Sequence, residues 1–517
     1  MNVATRLTEQ ATQRPDAAAL IDAHRGAARV VTFAELERDV AAVAGWMSAH
    51  GVRQGASVFV LLPPSVELYV ALAAVLRAGG QVVVAEMSGG PAVWRAAVRD
   101  TGPVLAVCSV KAAWWRLTQA TLRRIPFALA SGWAPRATPI GAARRAHPCA
   151  IAPRGADDAA LVTFTSGSTG APKGVIRTHG ILAAQLDALS GTTAAAGEVD
   201  CGNLPIVALA NLARGATTVI PSYDYTRAAD YDPMPVLDQC ATHGVTRLTA
   251  SPAFLSQLTS RPHPALSHIT RVVTGGGPLF PDVLQHLHRA LPHAVVTAVY
   301  GSTEAEPIAH RVVPRDDAAA ADAAARGEGL LAGRPDPTVR CVVIPGDALP
   351  NAPMTPQEFA ARAAASGVVG EVVVSGPHIV RHYVREEDER GTKLRVGDAI
   401  WHRTGDLARY DAEGRLWLLG RAGLGGTGTN ALHPIAVEAA VRAVVRVRHA
   451  AALLHRGQRV LVVSPYAGEA LDASEIRRAL AWAALDAVRV WPTIPVDARH
   501  QYKVDYAKVR EGIDAER

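Results

Sequence analysis

Short runs of consecutive β-branched and aliphatic residues alternate along this chain with segments whose apolar residues recur every three to four positions. "SVFVLLP" (57–63) is followed by "SVELYVALAAVLRAGG" (65–80) and then "QVVVAE" (81–86). A run apolar at every position buries both faces of a strand, and an amphipathic segment buries one stripe of a helix. Their alternation therefore predicts parallel strands covered by helices on both sides. "RVVTFAELERDVAAVAGWMSAHG" (29–51) reads as a short strand and a helix, with Thr32 and Glu35 at capping-box spacing and Gly51 where the helix would stop. The pattern resumes at "TTVIPS" (217–222), "TRLTAS" (246–251), "TRVVTGGG" (270–277) and "AVVTAVYG" (294–301), with the helical "PDVLQHLHRAL" (281–291) among them. The expected class is α/β, with functional residues at the carboxyl ends of strands.

The pattern changes near residue 420. "LARY" (407–410) and "RLWLLG" (415–420), joined by the turn sequence "DAEG", read as a hairpin. "RAGLGGTGTN" (421–430) is Gly-rich and without period. It places a hinge at 419–424 and divides the chain into residues 1–420 and 421–517, a large multi-sheet domain and a small, mobile α+β domain of plausible size. The small domain reads as helix ("PIAVEAAVRAVV"), two strands ("HAAALLH", "QRVLVVSP"), helix ("ASEIRRALAWAAL") and strand ("VRVWP"). The Ala/Asp-rich residues 316–327 read as a surface helix or loop.

Several classes are set aside by composition. The opening "MNVATRLTEQATQRPDA" has no apolar core, which predicts no signal peptide. The longest apolar stretch, 68–84, is broken by Arg77 and a Gly pair, so no membrane span is expected. The net charge is +6 over 517 residues, with no basic run interleaved with aromatics, which argues against a nucleic-acid partner. Five scattered cysteines (Cys108, Cys149, Cys201, Cys240, Cys341) without a CxxC argue against a zinc site or a disulfide framework and fit a cytoplasmic location.

Of 53 basic residues only five are lysines: Lys111, Lys173, Lys393, Lys503 and Lys508. An arginine-favouring genome accounts for the bias, and it makes each retained lysine a candidate for work that a compact ammonium does and a planar guanidinium does not. Lys173 lies in "LVTFTSGSTGAPKGVIRTHG" (161–180), read as a strand, a Ser/Thr/Gly loop and a second strand leading into a helix. Glycines let backbone N–H groups converge on an anion and hydroxyls add donors, so this is a candidate phosphate loop. It is not GxxxxGK[ST], and no helix follows the lysine. A flexible Ser/Gly linker is the competing interpretation.

"TFTSGSTGAPKGV" resembles the signature loop of the adenylate-forming (ANL) superfamily: acyl-CoA synthetases, nonribosomal peptide adenylation domains and firefly-type luciferases. Three further segments resemble that superfamily's motifs in the same order: "VYGSTEAEPIA" (299–309), "HRTGDLARYDAEGRLWLLGR" (402–421) and "RHQYKVDYAKV" (499–509). The resemblance implies an ATP-dependent ligase with Mg²⁺, in which a carboxylate attacks the α-phosphorus of ATP and pyrophosphate leaves. Residues 1–420 would be the AMP-binding domain and 421–517 a lid carrying the catalytic lysine.

It also implies roles. Thr165, Ser166, Gly167, Ser168, Thr169 and Gly170 would hold the β- and γ-phosphates, with Lys173 assisting and Thr165 beside the metal. Glu304 would be the Mg²⁺-associated carboxylate, and Thr303 would contact the α-phosphate. Tyr300, followed by Gly301 and Ser302, would pack against adenine beside Gly275, Gly276 and Gly277. Asp406 and Arg421 would bind the ribose. Lys503 would bridge substrate carboxylate and α-phosphate, whereas Lys508 is expected to be an exposed helix residue. His179 matches a family histidine, although an isolated histidine is more often structural.

Two departures stand out. Where CoA ligases of the superfamily carry Lys and Asp at the hinge, this chain has Gly423 and Leu424. Their loss bears on thioester formation with CoA or a carrier protein and leaves adenylation untouched. "LPIVALANLARGATTVIP" (204–221) replaces the usual aromatic-His segment. With "SPAFL", "GGGPLFPDV" and "YGSTEAEPIA" it resembles the branch of β-lactone synthetases of olefin biosynthesis, which adenylate a β-hydroxy fatty acid and let its own hydroxyl displace AMP. Ordinary acyl-CoA or acyl-carrier-protein ligation, working with partner enzymes, and a nucleotide-binding regulator without catalysis are the alternatives.

Overall fold

The computed structural model describes residues 2–22, 28–85, 89–166, 172–225, 227, 230–346, 352–426, 431–497 and 503–516. Among them the chain forms sheets of fourteen, eight and three strands. In the eight-stranded sheet, Ser57–Leu61, Gln81–Ala85, Leu105–Cys108, Phe127–Ala130 and Ala159–Ser166 run parallel. Pro172–Thr178 then folds back antiparallel on Ala159–Ser166. In the largest sheet, Val199–Gly202, Thr217–Ile220, Arg247–Ala250, Arg271–Gly275 and Val295–Ser302 are parallel. The antiparallel partner Ala305–Val313 opens a meander that continues through Leu330–Pro335, Leu416–Arg421 and Ala399–Tyr410.

The helices predicted at 33–50 and 66–77 form. Phe33–Ala49 begins with the full Thr32–Glu35 capping box, and the Ser65 hydroxyl caps Val66–Arg77. These two helices share a core with the strands, in which Phe33, Leu36, Val43 and Met47 have no solvent exposure. Each such side chain contributes about 1.5–3 kcal/mol by leaving water.

Two expectations are corrected. The second strand of the phosphate-loop hairpin begins at Pro172, so Lys173 and Gly174 belong to a strand and not to the loop, with Lys173 opposite Thr165. Residues 316–327 contain a helix, Ala318–Ala325, that does more than cover a surface. Its Ala324 is buried with Phe280 and Leu330 of the large domain and Ala439 of the small one.

The small domain has a three-stranded sheet, His449–His455 and Gln458–Ser464 antiparallel and Ala487–Val490 parallel. Its helix Pro434–Val444 packs on the large domain, where Arg442 pairs with Asp282 at 2.6 Å and lies over the Phe280 ring. At the junction, Ala422 N–H donates to Gly405 O at 2.8 Å, whereas Leu424 O accepts from Leu454 N–H of the small domain at 2.8 Å. Gly423, with φ +86°, is the one residue between these attachments. Among the described residues no helix is long and apolar enough to cross a membrane.

Candidate active site

The carboxyl ends of Arg271–Gly275 and Val295–Ser302 lie side by side, in register from Arg271 opposite Val295 to Gly275 opposite Val299. A Cβ on Gly275 would stand 2.7 Å from Val299 O, so only glycine lets these ends close up, and Gly276 turns the chain at φ +82°. The result is a flat shelf beside Tyr300. The Thr274 and Ser302 hydroxyls, one on each strand, are buried without a hydrogen-bond partner among the described residues. Buried donors of this kind are normally satisfied, which makes the two strand ends a place for water or ligand.

Thr303 and Glu304 form the turn between Val295–Ser302 and Ala305–Val313. Arg177, buried on the second strand of the phosphate-loop hairpin, donates to Thr303 O at 2.5 Å and to Thr163 Oγ1 at 2.6 Å. It thereby ties the stem of the Ser/Thr/Gly loop to the turn carrying Glu304. Val380 N–H donates to Glu304 O at 2.8 Å, and the Tyr383 hydroxyl donates to Glu304 Oε1 at 3.0 Å. Behind Tyr383 lies the Lys393 ammonium, whose burial draws its pKa down to about 8.

On the far side, Tyr300 donates to Asp406 Oδ2 at 2.8 Å and Arg421 Nη1 donates to Asp406 Oδ1 at 2.9 Å. Burial raises the Tyr300 pKa and the Asp406 charge reinforces it, keeping the phenol a donor, while Asp406 raises that of Arg421. Asp406 N–H is itself held by Thr404 Oγ1 at 3.0 Å, and the Arg403–Glu371 ion pair (2.6 Å) braces the same bend.

The structure thus brings together Gly275, Gly276, Tyr300, Ser302, Thr303, Glu304, Asp406 and Arg421, and Arg177 ties them to the hairpin bearing Lys173. Gly167, Ser168, Thr169 and Gly170 lie outside the described residues, as do the side chains of Thr165 and Ser166. Lys503 sits in the small domain, exposed, with its backbone N–H on Asp497 Oδ1 at 3.1 Å and its carbonyl accepting from Asp497 N–H at 2.8 Å. Lys508 is an exposed helix residue paired with Asp505 at 3.0 Å. His179 is wholly buried, and its Nδ1 accepts from Val3 N–H at 3.2 Å. Burial lowers its pKa to about 4. It secures the N-terminal segment and serves the structure.

Glu304 Oε1 is taken by Tyr383, and Oε2 has no hydrogen-bond partner among the described residues. No group of three His, Cys, Asp or Glu among them could hold a metal alone. A single carboxylate oxygen fits a hard cation that takes its other ligands from phosphate and water. Sequence reasoning missed Arg177, Tyr383 and Lys393. Lysine rarity was the one available signal for Lys393, while nothing local marks the other two.

Residues 7–384 match the model of the AMP-binding enzyme family. The chain belongs to that family, the adenylate-forming superfamily. Across its whole length this adenylate-forming enzyme is 32% identical to an olefin beta-lactone synthetase of Stenotrophomonas maltophilia, covering 98% of that protein. It is 31% identical to the olefin beta-lactone synthetase of Xanthomonas campestris, over 81% of this chain and 78% of that one. Among solved structures, the amide bond synthetase McbA from Marinactinospora thermotolerans matches with a TM-score of 0.80 at 23% identity, covering 99% of both chains. ATP-bound MatB from Rhodopseudomonas palustris matches with a TM-score of 0.80 at 22% identity, also over 99% of both. These two share the α/β fold, with its large N-terminal and small C-terminal domains. As a member of the family the enzyme is an adenylate-forming ligase that activates a carboxylic acid.

Proposed function

We propose that this enzyme activates a β-hydroxy fatty acid with ATP and closes the resulting acyl-adenylate to a β-lactone. The observation that carries this is the end-to-end similarity to olefin beta-lactone synthetase, which extends through the hinge and the small domain. The hinge points the same way, since Gly423 and Leu424 stand where CoA ligases of the superfamily have Lys and Asp.

In the first step a carboxylate oxygen of the acid bonds to the α-phosphorus of ATP and the bond to the β-phosphate bridging oxygen breaks, releasing pyrophosphate. Catalysis of such a displacement is mainly positioning and charge stabilisation. The 165–170 loop and Lys173 would hold the β- and γ-phosphates. Tyr300 and the Gly275–Gly277 shelf would hold adenine, Asp406 and Arg421 the ribose, and Thr303 the α-phosphate. Lys503 would lie between the reacting carboxylate and the α-phosphate. A Mg²⁺ ion on the phosphates, with Glu304 beside it, would neutralise charge as pyrophosphate leaves.

In the second step the β-hydroxyl oxygen bonds to the acyl carbon and loses its proton. The acyl–phosphate C–O bond breaks, and AMP departs. The nucleophile is already part of the acyl group, so ring closure has a high effective molarity and needs no thiol acceptor. We place the enzyme in the cytoplasm, where ATP is available.

The test is AMP release from 2-alkyl-3-hydroxy acids against matched acids without the hydroxyl, with products identified by mass spectrometry. The expected result is AMP and a β-lactone from the hydroxy acids alone, without CoA. Equal rates for both acids and strict dependence on CoA would instead assign acyl-CoA ligation. No pyrophosphate from any acid would assign a binding role.

A further inference from the structure

We propose that Tyr383 and Lys393 are positioning residues for Glu304, holding one carboxylate oxygen so that the other is presented to the metal-bound phosphates. This rests on the role proposed above for Glu304.

Glu304 occupies a two-residue turn, where a long side chain has several rotamers open to it. Its surroundings remove that freedom one group at a time. Arg177 holds the Thr303 carbonyl at 2.5 Å and Val380 N–H holds that of Glu304 at 2.8 Å, so the turn backbone is anchored on both sides. The Tyr383 hydroxyl then fixes Oε1 at 3.0 Å. Tyr383 is 5% exposed, on the strand His382–Tyr383, which pairs with the phosphate-loop hairpin opposite Val175, two residues past Lys173. The carboxylate is therefore set by a strand hydrogen-bonded directly to the one that carries Lys173.

Lys393 supports this from behind. Its ammonium donates to Val380 O at 2.5 Å, lies 3.3 Å from His402 Nδ1 and sits 5.2 Å from the centre of the Tyr383 ring. Among the described residues no carboxylate comes within ion-pair distance of it. A buried ammonium without a direct counter-ion is costly. Here the charges of Glu304, at the Tyr383 hydroxyl, and of Glu389 offset part of that cost. The site also explains why lysine is retained in a chain with 48 arginines among its 53 basic residues. The space between one carbonyl, one ring face and one imidazole takes a compact ammonium, and a planar guanidinium would displace the ring it is meant to steady.

The experiment is a double-mutant cycle with Tyr383→Phe and Glu304→Gln, read by two assays. One is ATP–pyrophosphate exchange. The other is Mn²⁺ binding, by electron paramagnetic resonance, to the enzyme with a non-hydrolysable ATP analogue. Tyr383→Phe should weaken Mn²⁺ binding and slow exchange about tenfold each, the worth of one hydrogen bond to a charged group, with no further loss when Glu304 is already Gln. Lys393→Met should reproduce Tyr383→Phe, and Lys393→Arg should not restore it. Melting midpoints should stay within about 3 °C of the parent, as expected where packing is kept. If Glu304→Gln is defective but Tyr383→Phe is silent, or adds its full loss to it, positioning through Glu304 is overturned while the role of Glu304 stands. If Glu304→Gln changes neither assay, that role fails and the positioning proposal with it.

Discussion

Tyr300 and Asp406, 106 positions apart in sequence, are joined by a hydrogen bond of 2.8 Å. With Arg421 on the other oxygen, the carboxylate is fixed in direction before any ligand arrives. A carboxylate has about four lone-pair sites, so two remain for the hydroxyls of a ribose. Asp406→Ala should raise the Kd for AMP about 30-fold by isothermal titration, and Tyr300→Phe only about threefold, since the phenol orients the acceptor without replacing it. Equal losses would show that the Tyr300 hydroxyl contacts the nucleotide directly.

The ion pair between Arg442 and Asp282 links the helix Pro434–Val444 of the small domain to the large one, and Arg442 is the better buried of the two. Asp282→Asn should move the balance between docked and undocked small domain about tenfold toward undocked, the worth of one charge-assisted pair. The radius of gyration from solution scattering should increase, while melting of the large domain stays unchanged. Unaltered scattering would mean that Phe280, Ala324 and Ala439 hold the interface by themselves.

Much of this architecture was readable from periodicity. The strands at 57–61, 81–85, 247–250 and 271–275 and the Thr32–Glu35 box follow from local sequence, because burial of both faces and capping are local properties. The contacts of Glu304 were not readable. Tyr383 lies 79 positions away and reaches it only because a two-residue strand is added to the edge of the other sheet. The helix at 318–325 was read as a surface element because its alanines carry no periodic contrast. Ala323 and Ala324 are buried, and Ala324 packs against Ala439 of the helix Pro434–Val444. The Pro172 strand start was missed for a third reason, since Pro-Lys-Gly has turn composition and tertiary pairing overrides it.

Glu438 gives the small domain a pH dependence. It is 3% exposed, accepts from the Tyr506 hydroxyl and from Ala452 N–H, and its burial raises its pKa from 4.5 to about 7. A carboxyl raised on folding binds its proton more tightly in the folded state. Its contribution is therefore complete below about pH 4.5 and is lost as pH rises through 7, up to about 3 kcal/mol. The melting midpoint of the small domain should fall between about pH 4.5 and 7 and level off above that, and Glu438→Gln should flatten that fall. A parallel fall in both proteins would place the titrating group elsewhere.

The backbone N–H and carbonyl of Lys503 are both held by Asp497, three residues before the helix Tyr506–Ala515 that Glu438 anchors. That arrangement fixes where the lysine leaves the small domain. If it places an ammonium between two anions in the adenylation step, Lys503→Ala should cut acid-dependent pyrophosphate release at least ~100-fold, the usual effect of removing one preorganised charge partner. ATP binding should change less than about threefold, because the lysine acts on the developing charge and not on the bound nucleotide. Lys508→Ala should leave both unchanged, since that ammonium is exposed and paired with Asp505. Turnover of Lys503→Ala at the parent rate would remove the lysine from adenylation. A loss confined to the conversion of preformed acyl-adenylate would move it to the second step.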